Sequence, residues 1–311
     1  MTAEKAYEEL LTRMKELALL GNTAGVLGWD QEVYMPGANA AYRADQLSLL
    51  AGMCHQKFTD PAVGDLLDKA SAASGDPQGD KAVNLREWKR SYDRSKKLPQ
   101  SLVEEVARVT SNAQVQWVQA RQEKKFSLFQ PWLEKIIGLT QQQAECYGYE
   151  KNPYDALLED YEPGLTTAQL DQLFPPLKKR LAELVVKITS SKKQPDVSIL
   201  RRACPIPAQQ DFCRMLAETM GFDFNRGRID ISAHPFTTGL GPGDTRITTR
   251  FEETNFENSF FSTLHEGGHG LYDQGLPSDA HYGTPRASAV SLGIHESQSR
   301  LWENLVGRGL P

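Results

Sequence analysis

Two histidines and a glutamate near the end of this 311-residue chain have the residue types and spacing of a metal-dependent hydrolase. The stretch His265-Glu266-Gly267-Gly268-His269 has the form H-E-x-x-H. On an α-helix, residues four apart lie only about 40° apart around the axis, so both imidazoles can reach one cation. Glu266 projects beside them, where it can take a proton from a water on that cation. The pattern therefore predicts a metal site with Glu266 as general base.

The flanking sequence predicts that this pattern lies on a helix. Thr254 and Glu257 have the spacing of an N-terminal capping box, and Gly275 and Pro277 predict the helix end. Between them, large apolar residues recur at helical spacing, at Phe256, Phe260, Leu264 and Leu271.

A third ligand is expected from a second helix downstream. Thr284 as N-cap and Pro285 at the first helical position predict a helix that runs to about Asn304. Glu296 and Glu303 share one face of it, so spacing alone admits either glutamate. Two histidines on one helix and a glutamate on the next form a recurrent catalytic zinc site, with one position open for water.

Four short motifs occur in order along the C-terminal part of the chain. They are His234-Pro235-Phe236, residues 244–248 (D-T-R-I-T), the H-E-x-x-H pattern, and residues 295–298 (H-E-S-Q). Together they resemble the motifs of the carboxypeptidase Taq group of metallocarboxypeptidases. Residues 28–31 with Met35-Pro36, and residues 161–164, are also similar, so the resemblance extends from near residue 20 to residue 308.

The resemblance implies a ligand set, an activity and an assembly. It implies that Glu296, not Glu303, joins His265 and His269 as the third ligand. It also implies carboxypeptidase activity, a deep cleft between helical lobes and a homodimer. Because members of the family continue well past residue 311, we expect residues 1–311 to form one carboxypeptidase Taq-like domain that lacks its C-terminal part.

With this ligand set, the chemistry is hydrolysis of a peptide bond. One divalent ion, zinc with cobalt as a substitute, would acidify a bound water and polarise the peptide carbonyl. Glu266 would pass the water's proton to the departing amine. An oligopeptidase or aminopeptidase could use the same chemistry, and a catalytically silent fragment could bind metal without turnover.

Four further residues are candidates for supporting roles. Asp244 and Arg246 could orient a ligand imidazole or hold a substrate carboxylate, or they could form a salt bridge that stabilises a hairpin. His234 and His295 could donate hydrogen bonds to a transition state or to Glu296, or they could be structural.

The predicted fold is mainly α, a zincin-type helical metallopeptidase with a small β-sheet or hairpin beside the metal helix. Residues 1–221 read as a helical lobe and residues 222–311 as the hairpin plus the metal-binding helices. The hairpin strands are predicted at residues 228–233 and 245–251, with a glycine-rich connection between them. Its edge could pair with an extended peptide substrate, or the hairpin could simply cover the core.

Two helical segments of the first lobe contain features that predict breaks. Residues 3–20 form an amphipathic helix by their apolar spacing, with a separate segment starting near Asn22. A helix capped by Thr166 contains Pro175 and Pro176, which predict an interruption or a kink.

Composition favours a reduced, cytoplasmic protein. The net charge is −5, with lysines and arginines interspersed among acids, so no nucleic-acid partner is expected. The four cysteines have no C-x-x-C spacing, which argues against a disulfide framework or a zinc ribbon. We expect no secretion signal and no membrane association, because the chain has neither a signal-peptide pattern nor an apolar run of membrane-spanning length.

Overall fold

The computed structural model describes residues 1–73 and 75–309, and 70% of these described residues are helical. The predicted mainly helical fold is confirmed. The α-helices are α1 (Ala3–Val33), α2 (Ala40–Phe58), α3 (Pro61–Ala70), α4 (Asp80–Ser95), α5 (Gln100–Gln122), α6 (Gln130–Tyr147), α7 (Pro153–Leu158), α8 (Thr167–Thr189), α9 (Ile206–Met220), α10 (Phe256–Gly275), α11 (Ser278–His281) and α12 (Leu292–Arg300). The strands are β1 (Gly227–Ile231), β2 (Thr237–Gly239) and β3 (Thr245–Thr249). Short 3-10 turns occur at Gly37–Asn39, Ser71–Ala73, Phe126–Leu128, Ser198–Arg201 and Pro285–Ala287, and a π turn at Leu301–Val306.

The first helix is longer than the sequence predicted. α1 is continuous from Ala3 to Val33, so the separate segment predicted near Asn22 was wrong. A glycine inside a helix costs only about 1 kcal/mol, which the packing of the neighbouring turns can offset. The buried face of α1 packs against α3 and α4 in a cluster that includes Leu10, Val63 and Trp88.

α8 is not interrupted at its two prolines, although an interruption there was one of the two predicted outcomes. Thr166 caps it as predicted, in a capping box with Gln169, and the helix runs through Pro175 and Pro176 to Thr189. Among the described residues, none of those in α8 is buried.

No helix of the described chain has the length and apolar character needed to cross a bilayer.

The small sheet has a different topology from the predicted hairpin. Its strand order is β1-β3-β2, in which β1 and β3 run parallel and β2 and β3 run antiparallel. The predicted small sheet is therefore confirmed, whereas its two longer strands do not form a hairpin with each other. The hairpin is formed by β2, inside the predicted glycine-rich connection, because Gly241 and Gly243 have positive φ and turn the chain tightly into β3.

The sheet lies beside α10, the helix that carries the H-E-x-x-H pattern. α10 ends at Gly275 as predicted, but its N-cap is Asn255 and no side-chain cap is formed, so the predicted Thr254 capping box was wrong. Ala217, Phe222 and Ile247 form a buried cluster from α9, the following loop and β3, and Leu271 of α10 packs against it.

The second ligand helix begins later than predicted. Thr284 precedes only a 3-10 turn at Pro285–Ala287, after which Ser288 is extended. α12 starts at Leu292, where Ser291 accepts a hydrogen bond from the Ile294 amide at 3.2 Å. Leu310 and Pro311, which belong to the predicted segment 222–311, lie outside the described residues.

Candidate metal centre

Three of the predicted ligand side chains converge between α10 and α12. Glu296 Oε2 lies 3.1 Å from Nε2 of His269 and 3.7 Å from Nε2 of His265. The candidate ligand atoms of the three residues lie within 4.8 Å of one another. In a tetrahedral site with metal–ligand bonds of about 2.0–2.2 Å, neighbouring ligand atoms are about 3.3–3.6 Å apart. The observed spacing therefore suits one small cation.

The ionisation states also suit a cation. Burial, together with the nearby His295 and His265, lowers the pKa of His269 to about 4, so its imidazole is neutral near pH 7. Burial alone would raise the pKa of Glu296, but His265 and a hydrogen bond from Arg300 lower it below its usual range. Two imidazole nitrogens and one carboxylate oxygen are donors that zinc accepts readily.

Gly268 permits the close approach of the two ligand helices. A Cβ on Gly268 would stand 2.6 Å from the carbonyl oxygen of Gln298 and 2.7 Å from Cα of Ser299, both in α12. A Cβ on Gly267 would meet the side chain of Met220 at 2.7 Å. The two glycines therefore serve helix packing.

Glu303 holds the ring of His265 from its other side. Its Oε2 lies 2.9 Å from Nδ1 of His265, and it also accepts hydrogen bonds from Arg300 and Arg308. Burial raises the pKa of Glu303, but these partners lower it overall, which favours the ionised form. A carboxylate on Nδ1 orients the imidazole and leaves Nε2 for a metal. The sequence offered Glu303 only as an alternative ligand and did not predict this orienting contact.

Glu266 is almost fully buried beside the two histidines, with 6% of its surface exposed. The Thr237 hydroxyl of β2 lies 2.8 Å from its Oε2 and 3.0 Å from its main-chain carbonyl oxygen. Burial raises the pKa of Glu266, which this hydrogen bond and His265 partly oppose. Thr237 was not predicted as a site residue, although its position directly after His234-Pro235-Phe236 was a signal for it.

His295 supports His269 rather than Glu296. Its ring stacks on the His269 ring at a centroid distance of 4.5 Å, and its Nε2 lies 2.8 Å from Oδ1 of Asp273. Asp273, which the sequence analysis did not single out, comes from the last turn of α10. The stacked ring of His295, held by its carboxylate partner, restricts the orientation of the His269 ring.

Asp244 and Arg246 form an ion pair at the start of β3. Two hydrogen bonds of 2.9 and 2.7 Å join the guanidinium to the carboxylate, and the guanidinium lies 4.1 Å from the ring centroid of Trp29. These contacts link the sheet to α1, which matches the structural alternative. Trp29 belongs to the stretch 28–31 that carried part of the resemblance.

His234 lies at the edge of the site. Its Nδ1 is 2.6 Å from the carbonyl oxygen of Pro235, and its ring is 6.2 Å from that of Trp117. It is close enough for its charge to lower the pKa of Glu266.

Residues 161–164 hold the start of α12. The amide of Leu292 donates to the carbonyl oxygen of Tyr161 at 2.9 Å, and the amide of Gly293 donates to Oε2 of Glu162 at 3.1 Å. Glu162 thus satisfies an amide in the first turn of the helix that carries Glu296.

An H-E-x-x-H helix whose histidines meet a glutamate from a following helix defines a centre of the metallopeptidase type. The sequence model of the carboxypeptidase Taq (M32) metallopeptidase family matches residues 9–310. The chain belongs to this family, which confirms the resemblance, and the family's metallopeptidase chemistry implies a divalent metal.

The similar proteins have names that agree with the family. The chain is 44% identical over 321 residues to thermostable carboxypeptidase 1 of Thermus thermophilus, with 100% of this chain and 63% of that protein covered. It is 36% identical to carboxypeptidase 1 of Bacillus subtilis, with 99% and 60% covered. Against the BsuCP crystal structure the TM-score is 0.94 at 33% identity, covering 98% of this chain and 61% of that one. The corresponding values for Pyrococcus furiosus carboxypeptidase are 0.83, 37%, 97% and 61%. The chain therefore spans about three fifths of the length of these relatives.

Proposed function

We propose that this chain is the metal-binding and catalytic portion of a metallocarboxypeptidase that removes residues from the C-terminus of peptides. The observation that carries the proposal is the convergence of His265, His269 and Glu296 beside a buried Glu266. Membership of the family and the carboxypeptidase names of its relatives support the same activity.

His265, His269 and Glu296 would hold the metal, and zinc fits their two nitrogen atoms and one oxygen atom. When bound, the metal supplies Lewis-acid polarisation of the peptide carbonyl and makes water more acidic. Glu303 orients His265 through Nδ1, and His295 restrains the ring of His269. These contacts support a ligand set whose rings are held in place before a metal arrives.

Glu266 is the proposed proton carrier. It accepts a proton from the attacking water and delivers it to the nitrogen of the departing amine, so that one C–N bond breaks as one C–O bond forms. Its burial raises its pKa, which brings it closer to the working pH of a group that must both take and return a proton. The Thr237 hydroxyl donates to Oε2, which would leave Oε1 to accept the proton of the water.

The peptide substrate is proposed to lie along β2. The order β1-β3-β2 puts β2 at an edge of the sheet, where its outer main-chain groups can pair with an extended peptide. Thr237 belongs to β2 and contacts Glu266, so a peptide bond paired with this strand would lie next to the proton carrier.

We also propose the remaining features that the resemblance and the composition imply. Residues 1–221 form a helical lobe and residues 222–311 carry the site, the assembly is a homodimer, and the compartment is the cytoplasm. The four unpaired cysteines support a reducing compartment.

A peptide assay with product masses tests the activity. One peptide has a free C-terminus and a blocked N-terminus, and its matched partner is amidated at the C-terminus. With zinc present, we expect stepwise loss of C-terminal residues from the first peptide only, and we expect a chelator to abolish this loss. Glu266→Gln should retain zinc and lower kcat by about 10²–10⁴-fold, because glutamine cannot carry a proton. The control is Glu257→Gln, on the same helix but paired with Arg201, which should keep normal kcat.

The products distinguish the alternatives. Internal cleavage would indicate an oligopeptidase, and release of N-terminal residues from an unblocked peptide would indicate an aminopeptidase. Zinc binding without hydrolysis of any peptide would show that this 311-residue chain binds metal silently.

A further inference from the structure

α8 is an amphipathic helix with an uncovered apolar face. Phe174, Leu177, Leu181, Leu184 and Ile188 are each between 45% and 57% exposed. The helix spans 23 residues, a length of about 34 Å. Helices in folded proteins draw most of their stability from packing such a face against another element. The described part of the chain supplies no such covering element for α8.

The spacing of the apolar residues on α8 indicates which kind of structural element can pack against them. Leu170, Phe174, Leu177, Leu181, Leu184 and Ile188 are separated by alternating steps of four and three residues. This is the a/d pattern of a heptad repeat, which packs side by side against another helix. Pro175 and Pro176 fall at the b and c positions, away from this seam, so they do not obstruct a partner. We call these six apolar residues the α8 seam.

The charges beside the seam distinguish between two kinds of partner. Lys178, Arg180 and Lys187 occupy e or g positions, and Asp171 is the acid at such a position within α8. Residues at e and g select the partner by charge. A second copy of α8 would bring a mainly basic flank against a mainly basic flank. A helix with acidic flanks would pair favourably along the same seam.

The segment that precedes α8 contacts α12, the helix that carries Glu296 of the candidate metal centre. This segment holds the first amides of α12 through Tyr161 and Glu162, and the Thr167 amide donates to Asp155 at 2.6 Å. This chain covers 61% of the solved relatives, so about two fifths of their length has no counterpart in it. That additional polypeptide is a source of a helix that could cover the seam.

We propose that the α8 seam is a docking surface for an amphipathic helix with acidic flanks, supplied by the part of the carboxypeptidase Taq fold that has no counterpart in these 311 residues. The partner binds through its own a/d residues and pairs its acidic e and g residues with Lys178, Arg180 and Lys187. This interaction goes beyond peptide hydrolysis and is independent of the metal.

Binding of a synthetic helix tests the chemistry of the surface. One peptide of about four heptads has Leu at a and d and Glu at e and g, and its matched partner has Lys at e and g. We expect the 311-residue chain to bind the Glu peptide at least tenfold more tightly than the Lys peptide. Leu184→Asp in the seam should abolish binding, whereas Val186→Asp, at an exposed f position of the same helix, should leave it unchanged. Circular dichroism and Tm should be the same for both variants, because neither side chain is buried.

Co-expression tests the proposed source of the partner. The part of Bacillus subtilis carboxypeptidase 1 that this chain does not cover is produced in the same cells as the tagged chain. We expect its capture by the wild type and by Val186→Asp, and a loss of at least tenfold with Leu184→Asp. Capture undiminished by Leu184→Asp would refute the proposed surface. Equal affinity for the two peptides, or none for either, would refute the charge argument. A dimer of the chain alone that Leu184→Asp dissociates would identify a second copy as the occupant and overturn the proposal.

Discussion

Replacing Gly268 by alanine perturbs the closest contact between the two helices that carry the candidate ligands. The new Cβ would stand 2.6 Å from the carbonyl oxygen of Gln298 and 2.7 Å from Cα of Ser299. Both are main-chain atoms, so no side-chain rotation relieves the overlap. Restoring a carbon–carbon contact of about 3.5 Å requires a separation of the helices by about 0.8 Å.

A displacement of this size exceeds what a metal site tolerates. Glu296 lies two residues before Gln298 on α12 and must move with it. Metal–ligand distances vary by only about 0.2 Å, so we expect zinc affinity to fall by about 10- to 100-fold. Overpacking costs about 1–3 kcal/mol of unfolding free energy, and the better helix propensity of alanine returns about 1 kcal/mol. The net loss of stability should therefore be no more than about 2 kcal/mol.

Competition for zinc with a chromophoric chelator measures the affinity, and calorimetry measures the stability. Each kcal/mol lost should lower Tm by about 1.5 °C, because the unfolding entropy is about 2.1 cal/mol/K for each of the 311 residues. Two alanine variants on the same helix are controls. Gly267→Ala meets only the flexible end of Met220, and Gly275→Ala faces open space in the described structure, so both should bind zinc normally. Wild-type affinity and Tm in Gly268→Ala would refute the argument that this glycine sets the position of Glu296.

Two further pairs of variants address the ligand set and the proton carrier. Glu296→Ala should abolish tight zinc binding, whereas Glu303→Gln should weaken it by no more than about 10- to 100-fold, because the amide oxygen can still accept from His265. Elemental analysis of the purified variants decides this, and dispensable Glu296 with indispensable Glu303 would reverse the assignment. Thr237→Val should lower kcat about five- to tenfold with zinc affinity unchanged, through loss of one hydrogen bond to Glu266, and Thr237→Ser should restore it. Equal losses in the serine and valine variants would assign the effect to packing rather than to the hydroxyl.

Local patterns in the sequence were sufficient for the family, the helical class and the position of α10. The H-E-x-x-H spacing and Gly275 specify a helix with its two histidines on one face, because helical periodicity is a local property. The strands around Ile229 and Ile247 were also visible, since alternating β-branched residues signal extended backbone. Their pairing was not visible, because whether strands run parallel or antiparallel depends on the path between them.

Only the tertiary structure distinguished the positions of Glu296 and Glu303. Their spacing places both on one face of the same segment, yet Glu296 faces the two Nε2 atoms and Glu303 faces Nδ1 of His265. That difference depends on how far α12 lies from α10, a distance set by a glycine contact between helices. The contact of Thr237 with Glu266 was not predicted for the same reason. Thr237 lies on a three-residue strand, which is too short to show an alternating pattern. Sequence periodicity determines which way a side chain points along its own element, whereas the partner it meets depends on the packing of other elements against it.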